Sequence, residues 1–208
     1  MPVANCPAYI LAGGKSSRFG GDKALVEIQG QPQLQRLARQ LNNGGHRVHL
    51  VCNGHSRHDQ LQCVVPWLDL MPIIDKEDSA GPVSGLAAAL EHRLNQLGQG
   101  WILLVACDQL RWESNWYVQL SETISAHHVA AVFRERDGSA FHPLPGMYHT
   151  LLLDHVKTCL ASGRRSLRGL LDNAACHCVQ ADCPPGSWSF NTREELQQLL
   201  IDNRYDAQ

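Results

Sequence analysis

An α/β fold, doubly wound around a mostly parallel sheet with helices on both faces, is what this 208-residue chain predicts. Three observations predict it. Short apolar runs alternate with stretches of helical periodicity, the order that produces parallel strands joined by crossover helices. The strongest run, Trp101-Ile102-Leu103-Leu104-Val105-Ala106, is apolar almost without a break, as a strand covered on both faces must be. Finally, residues able to do chemistry stand just past the ends of the runs, where open α/β sheets bind their ligands: Gly13-Gly14, Asn53, Asp75 and Asp108.

The elements follow in order. Ala8 to Ala12 reads as the first strand and ends in two glycines; Arg47 to Cys52 reads as the second and closes on the turn pair Asn53-Gly54. Met71 to Ile74 is a shorter strand ending at Asp75. Leu86, Leu90, Leu94 and Leu97 recur at spacings of four, four and three, an apolar helical stripe, with Pro82 near its start where a missing N–H costs least. Trp101 to Ala106 is the central strand, and a helix is expected over Ser114 to Ala126. Val129 to Phe133 and Ala175 to Gln180 are weaker strands. Leu152, Val156 and Leu160 mark a helix between them. Cys183-Pro184-Pro185-Gly186 reads as a surface loop. The last helix begins at Thr192, with Glu195 three residues on, a capping box leading into Leu196, Leu199 and Leu200. With no internal repeat and no linker, residues 1–208 are expected to form a single domain.

Composition narrows the class. Apolar residues at 44% and charged residues at 18% exclude intrinsic disorder. Eighteen basic against 20 acidic residues give a net charge of −2, which argues against a nucleic-acid partner; any bound anion must be met by a local cluster of cations. No run of about 18 apolar residues predicts a membrane span. The segment Met1-Pro2-Val3-Ala4-Asn5-Cys6 lacks the charged start and apolar run of a signal peptide, so a cytoplasmic location is expected. The eight cysteines contain no C-x-x-C pair, and reduced thiols are expected. Only Cys176-His177-Cys178 with Cys183 resembles a ligand cluster, and neighbouring strand positions point to opposite faces.

The densest chemical signal is Leu11-Ala12-Gly13-Gly14-Lys15-Ser16-Ser17-Arg18-Phe19-Gly20-Gly21-Asp22-Lys23. A strand ends in glycines whose bare backbone N–H groups can approach an anion, and hydroxyls and cations follow at once. Two familiar phosphate loops are excluded. The P-loop requires Gly-Lys-Ser/Thr, whereas Lys23 lies between Asp22 and Ala24; the dinucleotide fingerprint requires a different glycine spacing. Composition by itself also fits a mobile surface loop with incidental charges.

This run resembles the signature loop of nucleotidyltransferases, specifically the molybdenum cofactor guanylyltransferases. The resemblance continues, in the same order, through Gly81-Pro82-Val83-Ser84-Gly85, Val105-Ala106-Cys107-Asp108, His142-Pro143, Gly163-Arg164-Arg165 and Asn191-Thr192-Arg193-Glu194-Glu195. It implies a Rossmann-like nucleotidyltransferase fold and transfer of GMP from GTP to the terminal phosphate of molybdenum-loaded molybdopterin, releasing pyrophosphate. Glycine at both 13 and 14 implies guanine as the base. The resemblance places Leu11, Ala12, Gly13, Gly14, Lys23, Asn53, Asp75 and Asp108 around the nucleotide. It also implies a recipient molybdoenzyme or its chaperone as a further partner.

The residue types suit that chemistry. An attacking phosphate is already anionic at neutral pH, so the site must supply position and charge neutralisation instead of a base. Arg18, a planar fork, and Lys23, a compact charge, are the candidates for the triphosphate. Asp108, past the most apolar strand, is the candidate Mg²⁺ ligand, since this ion is held by one or two carboxylates plus substrate oxygens.

Duller roles exist for each. Asp108 could cap the following helix, Asp75 could belong to an acidic turn with Lys76, Glu77 and Asp78, and Asn53 could only shape a turn. Lys15 could be solvated, and Arg164, Arg165 and Arg168 could bind the pterin phosphate or line a solvated face. The sequence departs from the family at Phe19, where methionine is common. It departs again at Cys107-Asp108-Gln109-Leu110, where CDMP or CDTP is usual and loss of the proline is expected to loosen the loop. Two other readings remain: nucleotidyl transfer from CTP or another nucleotide to a pterin or sugar phosphate, and a non-catalytic relative that binds nucleotide or pterin.

Overall fold

A computed structural model describes residues 6–13, 18–67, 73–75, 81–122, 124–138, 140–172, 174–181 and 185–202. In chain order these form β1 (Ala8–Leu11), a small hairpin of β2 (Glu27–Ile28) and β3 (Gln31–Pro32), α1 (Gln33–Asn43), β4 (Val48–Asn53), α2 (His55–Val64), β5 (Ile73–Asp75) and α3 (Pro82–Leu97). They continue with β6 (Trp101–Ala106), α4 (Ser114–Glu122), β7 (Ala130–Glu135), β8 (Phe141–His149), α5 (Leu153–Ala161), α6 (Leu167–Leu171), β9 (Cys176–Ala181) and α7 (Arg193–Asp202). Among the described residues no helix is long and apolar enough to cross a membrane.

Seven strands make one sheet in the order β5-β4-β1-β6-β8-β7-β9. All neighbours pair in parallel except β8, which runs antiparallel to both β6 and β7. The sheet is therefore mostly parallel, as expected, with one reversed strand that the sequence reading did not contain. Strand alternation divides the interior. Ala8, Ile10, Leu103, Val105, Ala131 and Phe133 face one core, roofed by Leu34, Leu37 and Leu41 of α1 and by residues of α4 and α7. Their neighbours Tyr9, Ile102, Leu104, Ala130 and Val132 face the other, under α3, α5 and α6. Successive side chains of a strand point to opposite faces, so continuous apolar runs are needed where both faces are covered.

Several expectations are corrected. The helix expected over Ser114 to Ala126 stops at Glu122. In α3, Leu86 and Leu90 are buried but Leu94 and Leu97 are exposed. This 16-residue helix rises roughly 24 Å, longer than the roughly 20 Å of the six-residue β6, so its last turn overhangs. The proline-rich stretch expected as a surface loop instead forms a short 3₁₀ turn over Pro185–Trp188, with Pro185 buried and Trp188 in the core; Cys183 and Pro184 lie outside the described residues. Half of the expected capping box is present: Thr192 Oγ1 accepts the Glu195 N–H at 3.1 Å, whereas Glu195 Oε2 accepts the N–H of Asn191, one residue before the cap, at 2.5 Å.

Candidate active site

The chain runs outward from β1 to β4 and β5, then returns to β6 on the other side of β1. Such a reversal opens a crevice at the carboxyl ends of the two strands that flank it. Gly13 leaves β1 on one side of that crevice, and Asp108 leaves β6 on the other. The Ala12 N–H donates to Val51 O at 2.8 Å and the Cys107 N–H to Leu11 O at 3.0 Å, so the sheet ladder carries the backbone right up to the site. Gly13 has no room for a side chain: a Cβ there would overlap Asn53 Oδ1. Asn53 therefore does more than shape a turn, because its carboxamide packs directly on the glycine loop. Leu11, also expected at the nucleotide, is partly buried against the α3 side, where Gly85 lies close enough that a Cβ would come within 2.7 Å of Leu11 Cδ2.

Lys23 and Asp108, far apart in the chain, meet. Lys23 is 9% exposed, and its Nζ donates to Asp108 Oδ2 at 3.1 Å and to Asn191 Oδ1 at 3.0 Å. Asp108 caps no helix; its carboxylate is an ion-pair partner, 23% exposed. Burial pushes the Asp108 carboxyl above the ordinary carboxylate range, while the Lys23 ammonium acts in the opposite direction. Beside it, burial reinforced by the Asp108 charge pushes the Cys107 thiol up to about 12, which keeps it a neutral thiol. Among the described residues no three His, Cys, Asp or Glu side chains gather to hold an ion alone. The donor set on this face is a single, partly exposed carboxylate, which suits Mg²⁺ completed by oxygens from a substrate and does not suit a protein-caged transition metal.

Two residues without an expected role hold the glycine loop at both ends. Arg57, in the first turns of α2, forms a bidentate ion pair with Asp22, with Nη1 on Oδ2 and Nη2 on Oδ1 at 2.7 Å; Nη2 also reaches Ala12 O at 3.5 Å. Asp22 Oδ1 in turn accepts the Ala24 N–H at 3.0 Å. One guanidinium thus spans residues 12 and 22, and Asp22 turns the backbone so that Lys23 faces Asp108. The hydrogen bonds that the Arg57 guanidinium donates to the Asp22 carboxylate hold it protonated even more firmly than usual. Asp22 is adjacent to the expected lysine and Arg57 follows a strand end, but their partnership is a tertiary contact with no local signature. Phe19 is buried and packs against Phe190 with the rings tilted by 50° and their centroids 5.6 Å apart, and the Arg193 guanidinium lies 5.1 Å from its ring. An aromatic in place of the usual methionine is accommodated by that pocket.

The turn after Asp108 is tied down by hydrogen bonds. The Leu110 N–H, which a proline could not offer, donates to Trp188 O at 2.7 Å. Gln109 Nε2 donates to Pro185 O at 2.9 Å, and Gln33 Nε2 donates to Gln109 O at 2.5 Å.

Other predicted residues lie further out or outside the described set. Arg18 is exposed in the turn at 18–20. Gly14, Lys15, Ser16 and Ser17 lie outside the described residues, as do Lys76, Glu77 and Asp78. Asp75 ends β5 as the register partner of Asn53, which puts its backbone on the correct edge; its side chain lies outside the described set. Gly81, at φ +71°, has Arg165 O where a Cβ would come within 3.1 Å, so the segments 81–85 and 163–165 adjoin. Arg164, Arg165 and Arg168 are not buried. His142, the second residue of β8, pairs with Glu135 at 3.3 Å.

The family described as the MobA-like NTP transferase domain matches residues 8–179. A protein of Nostoc sp. named a probable molybdenum cofactor guanylyltransferase is 30% identical over 206 residues, covering 97% of this chain and 93% of its own. One of the same name from Synechococcus elongatus is 33% identical over 202 residues, covering 95% and 99%. The crystal structure of molybdopterin-guanine dinucleotide biosynthesis protein A from Archaeoglobus fulgidus superposes with a TM-score of 0.78 at 17% identity, covering 95% of this chain and 99% of its own, a likeness of fold. With the family matched over most of its length and such relatives at 30% identity or more, the chain belongs to the MobA-like NTP transferase family.

Proposed function

We propose that this protein transfers GMP from GTP to the terminal phosphate of molybdenum-loaded molybdopterin, releasing pyrophosphate. The observation that carries this reading is the meeting of Lys23, Asp108 and Asn191 at the carboxyl ends of β1 and β6. The names of the relatives supply the acceptor. The cytoplasm is the expected setting, in keeping with the free thiols of the seven described cysteines.

In the reaction, an oxygen of the acceptor phosphate forms a bond to the α-phosphorus of GTP. The bond from that phosphorus to the bridging oxygen breaks, and pyrophosphate leaves with the electron pair. The attacking oxygen carries its charge already, so no residue needs to remove a proton. The work of the protein is alignment and neutralisation. Gly13 brings bare backbone to the phosphates, and Arg57 fixes the two ends of the loop that wraps them. Lys23 contributes a positive charge that is already oriented, and Arg18 contributes a second from the exposed turn. Asp108 would hold Mg²⁺, which when bound neutralises charge on the phosphate oxygens. Arg164 and Arg165, beside the start of α3, are the candidate contacts for the acceptor phosphate. A molybdoenzyme or its chaperone is the proposed recipient of the product.

The test is pyrophosphate release measured with molybdenum-loaded molybdopterin, Mg²⁺ and GTP, CTP or UTP in turn. Release with GTP, abolished by Asp108→Ala in a protein that still melts cooperatively, is the expected result. Release with CTP alone would make the protein a cytidylyltransferase. GTP binding without release in the presence of acceptor would make it a non-catalytic binder.

A further inference from the structure

We infer that Gln33 and Gln109 are positioning residues that set the Asp108 carboxylate; the inference rests on the reading of Asp108 as the metal-bearing group. Residues 107–110 form a turn whose backbone is held from several sides. The Gln109 N–H donates back to Ala106 O at 3.1 Å, the Phe190 N–H donates to Asp108 O at 3.2 Å, and the Leu110 N–H donates to Trp188 O at 2.7 Å. The carbonyls on either side of Asp108 both face one amide: Gln33 Nε2 lies 2.5 Å from Gln109 O and 3.4 Å from Cys107 O. Gln109 then anchors the turn from the far side through Pro185 O.

Both glutamines are buried, at 0% and 2% exposure. Gln33 Oε1 finds no hydrogen-bond partner among the described residues. A buried acceptor left unpaired is destabilising, and a methionine or leucine at the start of α1 would avoid it. The residue is therefore explained by what its donor does. Gln33 also sits where α1 grips the other half of the ion pair. Its own N–H donates to Val26 O, and the next N–H, of Leu34, donates to Ala24 O, both at 2.9 Å. The first turn of α1 thus fixes the segment that follows Lys23 and the turn that carries Asp108 relative to each other. Groups behind a metal ligand orient it and tune its affinity.

Gln33→Met keeps the volume and removes the amide. Mn²⁺ affinity in the presence of a non-hydrolysable GTP analogue, read by paramagnetic resonance, is expected to fall about 10- to 100-fold. Turnover should fall with it, while KM for GTP changes by less than about threefold and the thermal midpoint is unchanged or raised. A folded Gln33→Met protein with wild-type Mn²⁺ affinity and turnover would overturn the inference. If Gln33→Met does not fold, Gln109→Met decides by the same readings. Asp108→Asn, measured alongside, separates the two levels. Wild-type Mn²⁺ affinity in Asp108→Asn removes the metal reading and the inference with it. Loss in Asp108→Asn alone removes only the roles of Gln33 and Gln109.

Discussion

Lys23 shares its ammonium between a carboxylate and a carboxamide, Asp108 and Asn191, and is almost enclosed while doing so. A charge held in place by two partners before substrate arrives does not have to reorganise during the reaction, which is where preorganised electrostatics gain their strength. Lys23→Met is expected to lower kcat by about 10²- to 10³-fold, measured as pyrophosphate release at saturating GTP. Arg57 stands one step back. It touches the loop at Ala12 and Asp22, so its removal should loosen the grip on the triphosphate more than it slows the bond change. Arg57→Ala is expected to raise KM for GTP about tenfold, equivalent to about 1.4 kcal/mol, with kcat falling less. An equal loss in kcat with unchanged KM would assign Arg57 to the chemistry itself. Lys23 and Asp108 stand out in the sequence as a cation in a glycine loop and an acid after a buried strand. Asp22, Arg57, Gln33 and Gln109 do not, because their roles consist of contacts with residues 35 to 76 positions away.

Among the elements, α7 shows how local chemistry becomes site geometry. Its first turn is closed by Thr192 and Glu195, and the residue just before it is the Asn191 that receives Lys23. Thr192→Ala is expected to destabilise the protein by about 1 kcal/mol, read as a lower denaturant midpoint at constant slope. That cap was legible because its pattern lies within four residues. So were β1, β4 and β6, whose apolar runs are bounded by turn residues. The strand β8 was not legible. Its first half, Phe141-His142-Pro143-Leu144-Pro145-Gly146, contains two prolines and a glycine, which locally argue against a strand. The structure resolves the conflict with a bulge: Val132 pairs with Gly146 but the next residue, Phe133, pairs with His142. The residues between loop out of the ladder, and the Tyr148 hydroxyl donates to Pro143 O at 2.6 Å. By contrast α1 carried a readable signal in Leu34, Leu37, Ala38 and Leu41, an i, i+3, i+4, i+7 face that the strand-centred reading passed over.

At the scale of the whole molecule, the face of the sheet under α3 buries a polar cluster with no place in the chemistry. His49 of β4 stacks on Tyr9 at 4.9 Å and lies 4.8 Å from His92 of α3, whose Nδ1 meets the Tyr9 hydroxyl at 2.9 Å. His49 is 4% exposed and neither ring nitrogen has a partner among the described residues. Burial first, then the neighbouring His92 and Arg47, lowers its pKa from 6.5 to about 4. In the unfolded chain this histidine takes up a proton that the folded protein refuses. Its contribution is therefore intact above pH 6.5 and is lost progressively as pH falls from 6.5 towards about 4, by up to about 3 kcal/mol. His49→Phe preserves the stack and removes the titration. Its chemical-denaturation midpoint should fall less than that of the wild type between pH 7.5 and pH 5, and identical falls would show that His49 is not the source.

The sheet reversal at β1 gathers the glycine loop, Lys23 and Asp108 into one crevice, and the functional account depends on a nucleotide occupying it. A crystal structure with a non-hydrolysable GTP analogue and Mn²⁺, the ion located by anomalous scattering, is the most direct test. The expected result is an Mn²⁺ signal at the Asp108 carboxylate with the triphosphate between Gly13 and Lys23. A triphosphate bound elsewhere, or a metal bound away from Asp108, would contradict it.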